Sequence, residues 1–249
     1  MPKVTVVIPT YHHHQYLEQC LGSILLNGEQ ANIILVPVEG DDDTKERILW
    51  LYHDYPLLED RMEVLYNTKA DPIHQMQLGL MATETEYVTF LGSDDFMFPS
   101  KLREQVALAN WVQGKDMFCL PIINPNLYMA DDELKPLDIP KVNDFTMKRM
   151  LKSCILTEAA LTMTGALKEV GGFYDPKKDW GYLSVYAMWL RLLKTYENHE
   201  VIMMKEPYAL YRQLHTSRHA SRYKTKQDYK DHHQRLKDVA EYYFPKGDR

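Results

Sequence analysis

The run Val4-Thr5-Val6-Val7-Ile8 constrains the fold most, because it is β-branched throughout with no polar alternation. A strand of that kind needs apolar cover on both faces, which a parallel sheet flanked by helices supplies. Leu17, Cys20, Leu21, Ile24 and Leu25 follow at helical spacing. Ile33–Val38 reads as a second buried strand. Gly40-Asp41-Asp42-Asp43-Thr44 reads as a turn into a helix around Lys45–Tyr52, and Met62–Tyr66 as a third strand. Asp71-Pro72 has the form of an N-cap followed by proline at the first helical position, predicting a helix to about Ala82. Tyr87–Leu91, a helix from Pro99-Ser100 to about Val112, and a strand over Met117–Ile123 continue the alternation. Strand alternating with helix predicts an α/β domain that binds its ligand at the C-terminal ends of parallel strands.

The second half is less periodic. Asn124–Val142 reads as a long loop rich in Pro, Asp and Leu, a lid on the acceptor side. Phe145–Ser153 reads as a short helix, and Leu161–Ala166 as either a strand or a buried helix. Leu183, Tyr186, Ala187, Leu190 and Arg191 have helical spacing, and Val201–Met204 reads as a strand. Lys224–Tyr243 predicts a C-terminal helix that docks on the domain or pairs with another subunit.

With 249 residues, 45% hydrophobic, the chain is long enough for a sizeable core. A net charge of -6 gives no support for a general nucleic-acid surface. No apolar run reaches membrane-span length, and the N-terminus lacks a signal-peptide pattern. Cys20, Cys119 and Cys154 are isolated in apolar surroundings and read as reduced core residues of a cytoplasmic protein.

The chemistry concentrates at Phe90-Leu91-Gly92-Ser93-Asp94-Asp95, where an apolar strand stops at two adjacent carboxylates. Such a pair is a hard oxygen site suited to Mg2+ or Mn2+ together with a substrate's phosphates. The plainer alternative is an acidic turn.

Taken with Val4–Tyr11 at the start, Gly171-Gly172-Phe173, and Trp189-Leu190-Arg191-Leu192, this stretch makes the chain resemble the family 2 glycosyltransferases of the GT-A fold, to about His215. The resemblance implies a Rossmann-like, mostly parallel central sheet. Residues 1–123 would form the nucleotide-sugar half, 124–215 the acceptor half of the same domain, and 216–249 a helical tail. It also implies a metal-dependent, inverting transfer from a nucleotide-diphosphate sugar, UDP-linked by preference, to a glycan or other hydroxyl acceptor.

The same resemblance suggests site residues. Asp94 matches the last carboxylate of the family's Asp-x-Asp motif and would hold Mn2+ or Mg2+, with Asp95 and His215. Gly92 stands where that motif has its first Asp, so that role is weakened or passes to Asp95. Pro9, Thr10 and Tyr11 would pack against the nucleobase, and Glu39 would accept the N3–H of uracil. Lys69, Gln77 and Ser93 would complete the donor site. Asp179 is the expected base; a different placement of the gap puts Ser184 or Val185 there and leaves the position without one. Arg212, Arg218 and Arg222 stand near for the pyrophosphate. His12-His13-His14 reads as loop and helix-cap residues, since consecutive side chains point in different directions. Peripheral contact with a lipid-linked acceptor stays open, as does oligomerisation. Two other readings compete. One is a non-catalytic GT-A-like scaffold that binds nucleotide sugar or glycan. The other is a nucleotidyltransferase, disfavoured because Pro9-Thr10-Tyr11-His12 is not a Gly-rich phosphate loop.

Overall fold

The computed structural model describes residues 2–27, 31–137, 142–214 and 225–245. The expected alternation holds: strand β1 (Val4–Thr10), helix α1 (Leu17–Leu25), β2 (Ala31–Pro37), α2 (Asp42–Asp54), β3 (Met62–Val64), α3 (Pro72–Ala82) and β4 (Tyr87–Phe90). β3, β2, β1 and β4 pair in parallel in that spatial order. β1 is buried on both faces. Val6 and Ile8 pack with Leu17, Leu21 and Ile24 of α1, while Val7 packs with Met76 and Leu80 of α3. Asp71 caps α3 by accepting from the Ile73 amide (3.1 Å), with Pro72 at the first position. Gly79 lets α3 close on β1: a Cβ there would lie 2.3 Å from Val7 Cγ1.

The short β5 (Phe96–Met97), α4 (Lys101–Lys115), β6 (Leu120–Ala130), α5 (Met147–Met150) and β7 (Leu161–Met163) follow. After them come α6 (Thr164–Glu169), α7 (Ser184–Thr195), β8 (His199–Arg212) and α8 (Lys226–Tyr243). The sheet continues from β4 through β7, β6 and β8 to β5, giving eight strands among the described residues. β7 runs antiparallel to both of its neighbours, β6 and β8 are parallel, and β5 runs antiparallel to β8.

Two sequence expectations need correction. The stretch Asn124–Ala130, read as part of a loop, continues β6, and β8 runs on from Met204 to Arg212. Both strands carry a proline, Pro125 and Pro207. The ladder absorbs them through register shifts on either side of Asn126, which pairs with Pro207, and then continues to Ala130 opposite Arg212. Leu161–Ala166, left open between strand and helix, is strand β7 turning directly into α6.

The C-terminal helix docks on α7. Leu236, Val239, Ala240 and Tyr243 are buried. Tyr243 Oη donates to Asp175 and accepts from Trp180 Nε1 and Arg191 Nη1, both at 3.1 Å.

Candidate active site

The sheet's parallel part has its topological switch between β1 and β4, since β2 leaves β1 on one side and β4 lies on the other. Ligand clefts form at such points, beyond the strands' C-terminal ends. Here the cleft spans about 1160 Å3 with its open mouth included. Pro9, Thr10, Tyr11 and His13 form one wall, Pro72, Gln75 and Met76 of α3 another, and Gly92–Asp95 the floor. Glu158, Tyr211 and Leu214 close the far side.

The floor is a tight turn in which the Asp95 amide donates to Gly92 O (3.0 Å). Both carboxylates fold back over Gly92. A Cβ at that position would meet Asp95 Oδ2 at 2.7 Å and Asp94 Oδ1 at 3.0 Å. Glycine at the expected first Asp is therefore what makes room for the adjacent pair. Asp95 is anchored from β8, where the Arg212 amide donates to its Oδ1 (2.8 Å). Burial pushes the Asp95 carboxyl well up, and the neighbouring charge of Asp94 adds to this. Asp94 is also raised by burial, against the lowering influence of His13. His13 Nδ1 lies 3.2 Å from Ser93 Oγ and 3.7 Å from Asp94 Oδ1. His13 thus faces the carboxylates rather than serving only the loop.

The loop carrying these groups is held by Asp41. It caps α2 through the Thr44 amide and hydroxyl (3.3 and 2.8 Å) and accepts the His12 amide (2.7 Å). Burial alone would raise this carboxyl; the His12 amide and the Thr44 donors outweigh it and hold the pKa below its ordinary value. His12 itself sits at φ 57°, an uncommon value outside glycine. Tyr11 is 41% exposed, with the His12 ring against it at 3.9 Å between centroids.

The structure brings Pro9, Thr10, Tyr11, Ser93, Asp94 and Asp95 together in one cleft. Glu39 and Lys69 are exposed and stand outside its lining, although the Glu39 amide is tied to Asn67 O (2.8 Å). Gln77 also lies outside the lining. Its Oε1 accepts the Phe173 amide (2.8 Å), its Nε2 donates to Gly171 O (3.3 Å), and it packs where a Cβ on Gly172 would sit. It braces the Gly-Gly turn, whose residues have φ 86° and 62°. The glutamine at the cleft is Gln75, whose Nε2 donates to Thr10 O (2.9 Å) and Val36 O (2.5 Å), joining the ends of β1 and β2. Asp179 is exposed outside the cleft lining and accepts the Gly181 amide (2.8 Å). The Arg212 guanidinium, expected near a pyrophosphate, instead donates to Gln19 Oε1 (2.6 Å) and lies over the Tyr16 ring. His215, Arg218 and Arg222 lie outside the described residues.

Glu158 was missed by sequence reasoning. It sits alone among Ile155, Leu156, Ala159 and Ala160, with no motif around it. Burial raises its carboxyl, and the charge of Asp94 adds to that.

The donor set fits a hard divalent cation in a limited way. Among the described residues no group of three or more His, Cys, Asp or Glu side chains is placed to hold one. Two crowded carboxylates with raised pKa values, Asp95 buried and Asp94 half-buried, would be relieved by a cation, and the diphosphate of a ligand would supply the further oxygens.

The eight-stranded sheet with its switch-point cleft has a GT-A-type fold. Residues 5–155 match the profile of Glycosyl transferase family 2, and the chain belongs to that family. It is 24% identical over 213 residues to an uncharacterized glycosyltransferase of Rickettsia typhi, covering 81% of this chain and 63% of that protein. The chain thus spans somewhat under two thirds of that relative's length. A Campylobacter jejuni GalNAc(5)-diNAcBac-PP-undecaprenol beta-1,3-glucosyltransferase is 31% identical over 113 residues, 44% of this chain and 35% of that one. S. aureus TarS 1-349 in complex with UDP-GlcNAc has the same fold, with a TM-score of 0.71 at 15% identity over 99% of this chain and 68% of that one. The mannosyltransferase PcManGT from Pyrobaculum calidifontis, in complex with GDP-Man and Mn2+, has a TM-score of 0.62 at 15% identity, over 98% of this chain and 74% of that one.

Proposed function

We propose that this protein transfers a glycosyl group from a nucleotide-diphosphate sugar, UDP-linked by preference, to an acceptor hydroxyl, with metal assistance and inversion. The observation that carries the reading is the pairing of half-buried Asp94 with buried Asp95 on the floor of a cleft walled by the loop after β1. Family membership supports sugar transfer. The nucleotide sugars bound to TarS and PcManGT support the donor class, and the Mn2+ of PcManGT supports the metal. Inversion rests on the resemblance alone.

Asp94, with Asp95 beside it, would hold Mn2+ or Mg2+, which supplies charge neutralisation of the departing diphosphate. His13, paired with Ser93 Oγ, would orient the Asp94 carboxylate. Tyr11 offers a ring face to the base, and Pro9 and Thr10 shape the wall beneath it. Glu39 and Lys69 are assigned to the donor's outer edge. Gln75 fixes the two strand ends on which the base would rest. The lipid-linked glycan in the name of the C. jejuni relative makes a glycan the favoured acceptor class. No helix among the described residues is long and apolar enough to cross a membrane.

A second reading, a binding scaffold without turnover, is favoured by one feature. α7 has no acidic residue in its first turn, where the resemblance allows a base to fall. Release of UDP from UDP-GlcNAc, UDP-glucose or GDP from GDP-mannose in the presence of Mn2+ separates the two. Turnover of one donor supports the transferase; binding of nucleotide with no turnover of any supports the scaffold.

A further inference from the structure

An acceptor hydroxyl needs a proton acceptor within reach as it attacks. α7 opens with Ser184, whose hydroxyl donates back to Gly181 O (2.7 Å), and Asp179 lies outside the cleft lining. Asp94 is assigned to the cation, and Asp95 is committed to the Arg212 amide. Glu158 is the remaining carboxylate among the residues that line the cleft.

Its backbone is fixed from three neighbouring elements. On one side Thr157 donates its amide (2.8 Å) and hydroxyl (3.3 Å) to Asn124 Oδ1 of β6. At the residue itself, Glu158 O accepts the Phe90 amide of β4 (3.2 Å). On the other side Ala159 O accepts from Thr89 Oγ1 (2.9 Å) and Gln105 Nε2 (3.1 Å). Behind these lies Lys101, fully buried, with Nζ donating to Gln105 Oε1 (2.9 Å) and Thr89 Oγ1 (3.4 Å). Because Lys101 occupies their acceptor atoms, the donors of Thr89 and Gln105 are turned toward Ala159. The Glu158 carboxylate accepts its own backbone amide, and no side-chain partner for it is found among the described residues. A carboxylate on a backbone fixed by such hydrogen bonds, in the lining of the cleft, is the arrangement a positioned base requires. It also stands on the correct side. β4 separates the β1 loop, where the nucleotide would lie, from the segment entering β7, which carries Glu158.

We propose that Glu158 is the general base of the transfer. The acceptor O–H proton passes to its carboxylate as the acceptor oxygen bonds to the anomeric carbon. The bond from that carbon to the diphosphate breaks, and its electron pair leaves with the nucleoside diphosphate. This inference rests on the proposed transferase reading.

The test uses the whole chain with Mn2+, taking UDP release from UDP-GlcNAc and UDP-glucose with water as the probe acceptor, and UDP binding by calorimetry. Glu158→Gln should lower UDP release by ~10^2- to 10^4-fold, with UDP affinity within about threefold of the parent. Glu158→Asp, which keeps a carboxylate, should retain part of the rate, and thermal melting confirms that both variants fold. Parent-like release from Glu158→Gln overturns the proposal. Loss of Mn2+-dependent UDP binding in that variant also overturns it, by making Glu158 a donor-site residue. A parent protein that binds UDP but releases none from either donor overturns the transferase reading itself, and the base falls with it.

Discussion

The two flanks of the cleft are built in opposite ways. On the β1 flank, Tyr11, His12 and His13 project from a loop held mainly by one buried carboxylate, Asp41, and Tyr11 stands open to solvent. On the β7 flank, residues 157–159 are tied to β4, β6 and α4 by buried side-chain donors and acceptors. An exposed aromatic ring can adjust to a flat base at little cost. A proton acceptor must be in place before the reaction, since a small misplacement costs much of the rate. The comparison therefore separates a flank suited to grip from a flank suited to chemistry, with the Asp94–Asp95 floor between them.

The largest effect should come from the floor. Asp94→Ala should abolish Mn2+-dependent UDP binding and lower UDP release by ~10^3-fold or more, consistent with several kcal/mol of lost charge stabilisation. Near-normal turnover in that variant would remove the site altogether. Next, Gly92→Asp restores the family's usual first carboxylate, yet it should weaken UDP–Mn2+ binding by about tenfold, because it adds a like charge and forces Asp95 off its anchor. Improved binding would show that the turn relaxes and that the packing over Gly92 is not limiting. A third variant probes the chemical flank. Asn124→Ala releases Thr157 and should cost about 1–2 kcal/mol of stability, lowering kcat while leaving UDP affinity unchanged. Equal losses in both would mean that the two flanks are not separable. The smallest effect is expected for Asp179→Asn, with UDP release within about threefold of the parent if Glu158 is the base. A hundredfold loss there would return the role to Asp179.

The pH dependence follows from the floor. Asp94 and Asp95 both have raised pKa values, so protons compete with the cation as pH falls toward those values. Without a cation, their crowding disfavours the folded state as pH rises past the ordinary carboxylate range. Added Mn2+ should therefore raise the melting temperature more at neutral than at mildly acidic pH, a difference that parallel melts would show.

The grip flank was largely legible in the sequence, because its elements carry local signals. Val4–Ile8 is buried on both faces, and Asp71-Pro72 caps a helix, as read. The chemical flank was not. Pro125 and Pro207 look like breakers until the register shifts that absorb them are seen. Gln77 resembles a family motif position but packs against the Gly-Gly turn, while Gln75, two residues earlier, reaches the cleft. Glu158 depends on contacts from β4, β6 and α4, all distant in sequence, so no window of residues reveals it. The place of Asp94 in the cleft was legible for the opposite reason, since strand, turn and carboxylates are contiguous.

The most direct measurement is calorimetric titration of the protein with UDP, with and without Mn2+, using GDP as the control. The account predicts UDP binding that requires Mn2+, exceeds that of GDP, and disappears in Asp94→Ala. UDP binding indifferent to both Mn2+ and Asp94, or no binding of either nucleotide, would contradict it.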